Sequence, residues 1–301
     1  CKKVIIDSLN EHQPDLVGIN CLFSGTFPDV LEFAKTVKTH SPNLKTAIGG
    51  IHPTSFPKEI LSNCNDVDYV AIGEGENTIV ALAASIKAKN EKLLSYIKSF
   101  AYRDKDGVVR VNRQENYIDD LDSLPMPAWD LLPNERYWKI GRPHGGGQTI
   151  SGKKLKYVSM MTSRGCPFKC SFCHIADETE DSKSGAIGRF RIKSDERVKK
   201  ELYILKDKIG AKQVFIEDDS LFGMKRRAIR LLKKIVGLGL DLLDVNGVNT
   251  IHLVKKSDKP GWLIPDEELI ALLAEVGFKE IVLPFESANP RILKKWCSNK
   301  L

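Results

Sequence analysis

Cys166, Cys170 and Cys173 stand close together in the stretch Ser163-Arg-Gly-Cys166-Pro-Phe-Lys-Cys170-Ser-Phe-Cys173-His174. Zinc sites and fully ligated clusters take four protein ligands, and no fourth cysteine follows nearby. Three thiolates at this spacing can hold an iron–sulfur cubane by three corners and leave one iron open to chelate a small molecule. The spacing therefore points to chemistry more than to a structural staple. Two other readings stay open from the residues alone. Zinc could recruit His174 as a fourth ligand, although a histidine directly beside Cys173 suits a tetrahedral site poorly. The thiols could also pack as small apolar side chains. His174 itself reads as a neighbour of the site and not as a ligand.

With Phe172 just before the last cysteine and Ser-Arg-Gly-Cys-Pro ahead of the first, the block resembles the signature of the radical S-adenosylmethionine (radical SAM) superfamily. The resemblance implies a [4Fe-4S] cluster on Cys166, Cys170 and Cys173, with S-adenosylmethionine bound to the open iron through its amino and carboxylate groups. It implies one-electron cleavage of the sulfonium to a 5′-deoxyadenosyl radical, and a protein electron donor such as a flavodoxin or ferredoxin.

The elements that position this loop follow from pattern. At 301 residues, with 42% hydrophobic and 28% charged side chains, the chain suits about two globular domains. Its net charge of +7 is spread over helical lysines without an aromatic-interleaved basic stripe, so a nucleic-acid partner is not expected. No apolar run approaches the roughly 20 residues of a membrane span. Beyond the clustered three, Cys1, Cys21, Cys64 and Cys297 are dispersed, which fits a reducing compartment and a cytoplasmic location. A chain that opens on Cys1 and closes just after a helical pattern reads as a fragment.

Short apolar runs alternate with helical patterns over the first hundred residues. Strands are expected at 15–20, 44–48 and 67–72, and helices at 29–38, 57–61 and 77–86. Such alternation argues an α/β fold with a parallel sheet and helices on both faces. Ligands of these sheets bind at the carboxyl ends of the strands. The loops of interest are therefore 22–26, 49–52 and 73–76, where Ser24, Gly49, Gly50, Gly73 and Gly75 would let a ligand approach the backbone. Tight turns explain any single one of these glycines equally well. Together the segments Asp15-Leu-Val-Gly-Ile, Ile48-Gly-Gly-Ile-His52-Pro and Gly73-Glu-Gly-Glu76 resemble the Rossmann-like (flavodoxin-like) cobalamin-binding domain found ahead of many radical SAM domains. The resemblance implies that Ser24, Gly49, Gly50, Gly73 and Gly75 line the corrinoid and its nucleotide tail. The family's first strand and Asp-X-His-X-X-Gly loop have no counterpart from Cys1 onward, and His52 is not expected to ligate cobalt.

Residues 1–97 are thus expected to form an incomplete cobalamin-binding-like domain. A hairpin with an Asp-Gly turn and a proline-punctuated linker anchored by Trp129 and Leu131 are expected over 98–150, with the glycine run 145–147 as a mobile loop. A partial radical SAM β/α barrel is expected over 151–301, with glycine-rich, less ordered sequence after the cysteine loop. Its strands read at 156–161, 213–217, 241–248 and 279–285, and its helices at 195–209, 225–236, 266–276 and from 290. Asp218 and Asp219, Asn246 to Asn249, and Glu286 with Ser287 close three of the strands, where barrel chemistry sits and where acids and amides could hold the amino group and ribose hydroxyls of a nucleoside-like ligand. By resemblance, Asp218 or Asp219 lies near the methionyl amino group or the substrate, and Glu286 with Ser287 lies near the ribose. A polar rim or a helix cap is the plain alternative for each. Arg189 and Arg191 could neutralise a carboxylate or form surface ion pairs. The resemblance implies a methyltransferase of a small-molecule substrate, with rearrangement or cyclisation, or a non-catalytic sensor, as alternatives.

Overall fold

The computed structural model describes residues 2–113, 115, 117–140, 156–178, 187–259 and 261–297. The glycine run 145–147 and most of the glycine-rich stretch after the cysteine loop lie outside them. The chain divides into two compact units, Cys1–Ile118 with Glu178–Ile187, and Asp119–Asp177 with Gly188–Leu301.

In the first unit, β1 (Leu16–Asn20), β2 (Lys45–Gly49) and β3 (Tyr69–Ala71) run parallel. The helix Phe27–His40 connects the first two and buries Val30, Ala34 and Val37 at helical spacing. Apolar clusters cover both faces, one around Ile48, Ile60 and Ile72, the other around Leu82, Phe100 and Tyr102. This is why the strands read as apolar runs and not as alternations. Among the described residues these strands lie in simple chain order.

The hairpin does not belong to a connector. Its strands β4 (Phe100–Arg103) and β5 (Val109–Val111) continue the first sheet, with β4 antiparallel to β3. Burial of Phe100 and Ala101 and coverage of the open β3 edge favour that position. Arg103 fastens it by donating to the carbonyls of Leu61 and Val67 at 2.8 Å each. The turn is closed by Asp104, whose Oδ1 accepts from the amides of Asp106 and Val108.

The second unit is built on four parallel strands in chain order. These are β6 (Tyr157–Met160), β9 (Gln213–Ile216), β10 (Asp241–Asp244) and β13 (Phe278–Ile281). Two short antiparallel pairs accompany them: β7 (Ser163–Arg164) with β8 (Arg191–Ile192), and β11 (Val254–Lys256) with β12 (Leu263–Pro265). The first brackets the cysteine loop; the second was not legible in the sequence. Val158, Met160, Val214, Ile216 and Leu242 pack against Val198, Leu202, Leu231 and Leu273 of the covering helices. The helix Asp195–Tyr203, capped by Ser194, passes into a π-turn at Ile204–Lys208 instead of running on unbroken.

The proline-punctuated segment caps the free edge of β6. Lys156 and Met160 turn their carbonyls to β9, accepting from Gln213 and Glu217, so those of Tyr157 and Ser159 face away. The indole of Trp138 donates to Tyr157 at 2.7 Å and that of Trp129 to Ser159 at 3.4 Å, which satisfies groups an edge strand leaves open. Trp129 is buried, whereas Leu131 is exposed. Among the described residues, no helix is long and apolar enough to cross a membrane.

Candidate functional site

The cysteine loop leaves the carboxyl end of β6 and is gripped at its root. Asp218, just past β9, has no solvent exposure. Its Oδ1 accepts the Thr162 amide at 2.5 Å, and its Oδ2 accepts the hydroxyls of Thr162 and Ser163 at 2.6 Å each. Burial pushes the carboxyl upward, against the pull of these donors and of the Arg227 charge. The buried Arg227 donates to Thr162 Oγ1 at 3.0 Å, to the Thr162 carbonyl at 3.1 Å and to the Lys193 carbonyl at 2.9 Å. Asp219 grips the next turn, accepting the Gly165 amide on Oδ2 at 2.9 Å. Its pKa is raised too, first by burial; the Gly165 amide and the nearby charges of His174 and Arg191 work the other way.

Gly165 has a φ of +76°, and a Cβ there would stand 2.4 Å from the Arg189 carbonyl oxygen. Only glycine lets the chain pass so close to the backbone of residues 188–189. Beyond it, Cys166 donates its amide to the Gly188 carbonyl at 3.2 Å, and Cys173 donates to the Cys170 carbonyl at 3.0 Å. The helix Pro290–Trp296 ends against the loop, the Trp296 carbonyl accepting the Ser171 amide at 3.0 Å.

Cys166, Cys170 and Cys173 line one cavity of about 280 Å³. Phe168, Phe172 and His174 share its wall from the loop side. The opposite wall comes from strand ends: Asp219 and Ser220 after β9, Asn246, Gly247 and Asn249 after β10, Pro284 and Glu286 after β13. Among the described residues, no three metal-binding side chains converge at the spacing of a single ion. A cluster spreads its thiolates further apart than one ion does, and three thiols around a shared cavity with hydrogen-bonding groups opposite suit the larger group.

The predicted site residues are sorted by this geometry. Asp219 and Glu286 face the cavity; Asp218 does not, being spent on the root of the loop. Glu286 holds a left-handed φ of +57°, a conformation that bulky residues keep only where the surroundings impose it. Ser287 is not part of the wall; its hydroxyl accepts the Asn289 amide at 3.0 Å, at the start of the helix Pro290–Trp296. Arg191 is buried and donates to the Arg189 carbonyl at 3.1 Å; neither arginine lines the cavity. Thr162, Ser163 and Arg227 were missed, whereas the amides of the 246–249 strand end do reach the wall. The signal for Arg227 was its place on the apolar face of the helix Lys225–Ile235, in step with Ala228, Leu231 and Leu232.

In the first unit, Ser24 and His52 meet at the carboxyl ends of β1 and β2, with Ser24 Oγ 2.9 Å from His52 Nδ1. His52 lies between Phe27 and Phe56, at centroid distances of 4.3 and 5.1 Å, and Leu22, Phe23 and Phe56 are exposed beside it. Gly50 is demanded by packing, since a Cβ would stand 2.5 Å from the Cys21 carbonyl oxygen. Gly73 donates its amide to Thr54 Oγ1 at 2.9 Å. A Cβ on Gly49 would touch only Ala71, at 3.5 Å, and one on Gly75 would meet nothing within 4 Å. Protein packing therefore does not require glycine at these two positions.

Comparison with known proteins gives two family matches. Residues 2–83 match the B12 binding domain and residues 160–300 the radical SAM superfamily. The uncharacterized methyltransferase PH0819 of Pyrococcus horikoshii is 32% identical over 95% of this chain and 54% of its own length. The cytidylyl-2-hydroxyethylphosphonate methyltransferase of Streptomyces wedmorensis is 28% identical over 97% of this chain and 53% of its own. The chain thus spans about half the length of these relatives. A solved structure of the cobalamin-dependent S-adenosylmethionine radical enzyme OxsB, with aqua-cobalamin and S-adenosylmethionine bound, shares the fold. It superposes with a TM-score of 0.69 at 19% identity, covering 99% of this chain and 39% of that one.

Proposed function

The chain belongs to the radical SAM proteins that carry a B12-binding domain, and from that membership we propose that it is part of a cobalamin-dependent radical methyltransferase acting on a carbon of a small molecule. The observation that carries the reading is the arrangement of Cys166, Cys170 and Cys173 around one cavity faced by acids and amides. These three would hold a [4Fe-4S] cluster. When bound, that cluster supplies one electron to S-adenosylmethionine and the corrinoid supplies the methyl group.

The chain's own residues bind, orient and exclude water. Asp219 and Glu286 offer acceptors to an ammonium group and to ribose hydroxyls. Phe168 and Phe172 give the loop side an apolar surface against water. Asp218, with Thr162, Ser163 and Arg227, fixes the loop from behind. Ser24, Gly49, Gly50, Gly73 and Gly75 would line the corrinoid at the carboxyl edge of the first sheet, with His52 held by Ser24. A flavodoxin or ferredoxin is the fitting electron donor. Relatives named as methyltransferases support methyl transfer, and relatives named as anaerobic magnesium-protoporphyrin IX monomethyl ester cyclases keep cyclisation as the second reading.

The test is anaerobic reconstitution of the whole natural protein with iron, sulfide and cobalamin, followed by S-adenosylmethionine carrying a labelled methyl group. The expected result is 5′-deoxyadenosine and a labelled product, both lost in Cys170→Ala. Cleavage with an unlabelled product would favour rearrangement or cyclisation, and no cleavage a sensor module. Cleavage by Cys170→Ala, or zinc in the loop, would overturn the cluster assignment.

A further inference from the structure

The segment after β10 is pinned along its length. Val245 donates its amide to the Ile216 carbonyl at 3.4 Å and Val248 to the Val282 carbonyl at 2.9 Å. The Asn246 side-chain amide donates to the Glu217 carbonyl at 2.9 Å. Gly247 lies so close to Pro284 that a Cβ would stand 2.8 Å from its Cδ. The segment ends at Asn249, whose Oδ1 accepts the Ile251 amide at 3.3 Å and caps the short 3₁₀ turn Thr250–Leu253.

That cap bond settles which end of the Asn249 amide is oxygen. The other end, Nδ2, is shut from solvent and has no hydrogen-bond partner. The residue is 7% exposed and lines the cavity of the cysteine loop. Buried amide donors are nearly always paired, and an unpaired one is costly. A pinned segment cannot turn this donor out to water, so the cost is removed only when an acceptor enters the cavity.

We infer that Asn249 is a binding residue of the cavity, donating from Nδ2 to an oxygen of a nucleoside-linked amino acid. The inference rests on the proposed reading of the cavity as an S-adenosylmethionine site. Polarity favours the assignment. Asp219 and Glu286 accept hydrogen bonds and suit the ammonium and hydroxyl groups of such a ligand, while its carboxylate and ribose oxygens need a donor. Asn249 is a neutral donor already held in place, which lowers the cost of ordering the contact.

Two variants separate the donor from the cap. Asn249→Asp and Asn249→Ser both keep an oxygen for the Ile251 amide and lose Nδ2. S-adenosylmethionine and, separately, methionine are titrated calorimetrically into anaerobically reconstituted whole protein. Either variant should bind S-adenosylmethionine about tenfold more weakly or worse, with iron content unchanged and the chain folded; Asn249→Ser, which adds no buried charge, should not lower the melting temperature. A matching loss with methionine identifies the acceptor as the carboxylate; a loss confined to S-adenosylmethionine identifies a nucleoside oxygen. Binding within about twofold of the parent in a folded, iron-loaded variant overturns the inference while the proposed function stands. A cluster-loaded parent that binds no S-adenosylmethionine overturns both.

Discussion

At the scale of single residues, two adjacent carboxylates do different work. Successive side chains at a strand end point to opposite sides. Asp218 therefore turns back into the layer between sheet and helix, and Asp219 turns to the cavity. The sequence marked the pair as chemistry at a barrel rim but could not divide the roles, because the partners of Asp218 come from Thr162 and Ser163, over fifty residues earlier. Removing a buried carboxylate strands its donors, and here also takes one of two nearby negative charges from the buried Arg227, leaving Asp195 at 3.9 Å. Asp218→Ala is expected to lose about 3 kcal/mol of stability in urea unfolding, and Asp218→Asn less, because its amide oxygen can still accept the Thr162 amide. Equal curves for parent and Asp218→Ala would remove the clamp from the account.

At the scale of elements, the cysteine loop is held by features outside its own motif. Gly165 gives it a left-handed turn beneath residues 188–189, and β7 pairs with β8 across its base. Gly165→Ala would force a Cβ into the Arg189 carbonyl. The core helices and strands do not depend on that turn. The variant should keep its far-ultraviolet circular dichroism while losing most of the iron retained per chain after anaerobic reconstitution. Full iron loading of Gly165→Ala would show that the loop can be held another way. Most helices and parallel strands here were legible from periodicity and caps; Ser194 and Asp266 both accept amides at helix starts. The β11–β12 hairpin was not, because its exposed strands lack a buried alternating face.

At the scale of the whole molecule, two buried groups give folding an opposed pH dependence. Burial raises Asp244 from 3.8 to about 7; the amides of Gly247 and Val282 favour its charge but neither completes a hydrogen bond to the carboxylate. Between these values the unfolded chain has released this proton and the folded chain keeps it, so stability falls as pH rises from about 4 to 7. Burial, with the Lys225 charge, lowers His252 from 6.5 to about 4. Across that window the unfolded chain binds the proton and the folded chain does not, so stability rises with pH. The two oppose one another until the histidine window closes, and Asp244 alone acts above it. Asp244→Asn should gain on the parent as pH rises, by an amount on the order of 2–3 kcal/mol between pH 5 and pH 8. Unfolding by urea at pH 5 and pH 8 measures it; a constant difference would contradict the burial of an ionisable Asp244.

The sequence by itself determined the two-part α/β organisation, most of its strands and helices, and the three thiols that define the chemistry. These signals are local: side-chain period follows backbone geometry, and ligand spacing on one loop is fixed by chain length. Tertiary structure alone decided that the 100–111 hairpin completes the first sheet, that Asp218 and Ser287 leave the cavity while Asp219 and Glu286 stay, and that the Asn249 side chain keeps an unpaired donor. Each of those outcomes depends on which groups from distant segments meet after burial. Hydrogen-bond satisfaction is settled in three dimensions, between residues whose separation along the chain carries no periodic trace.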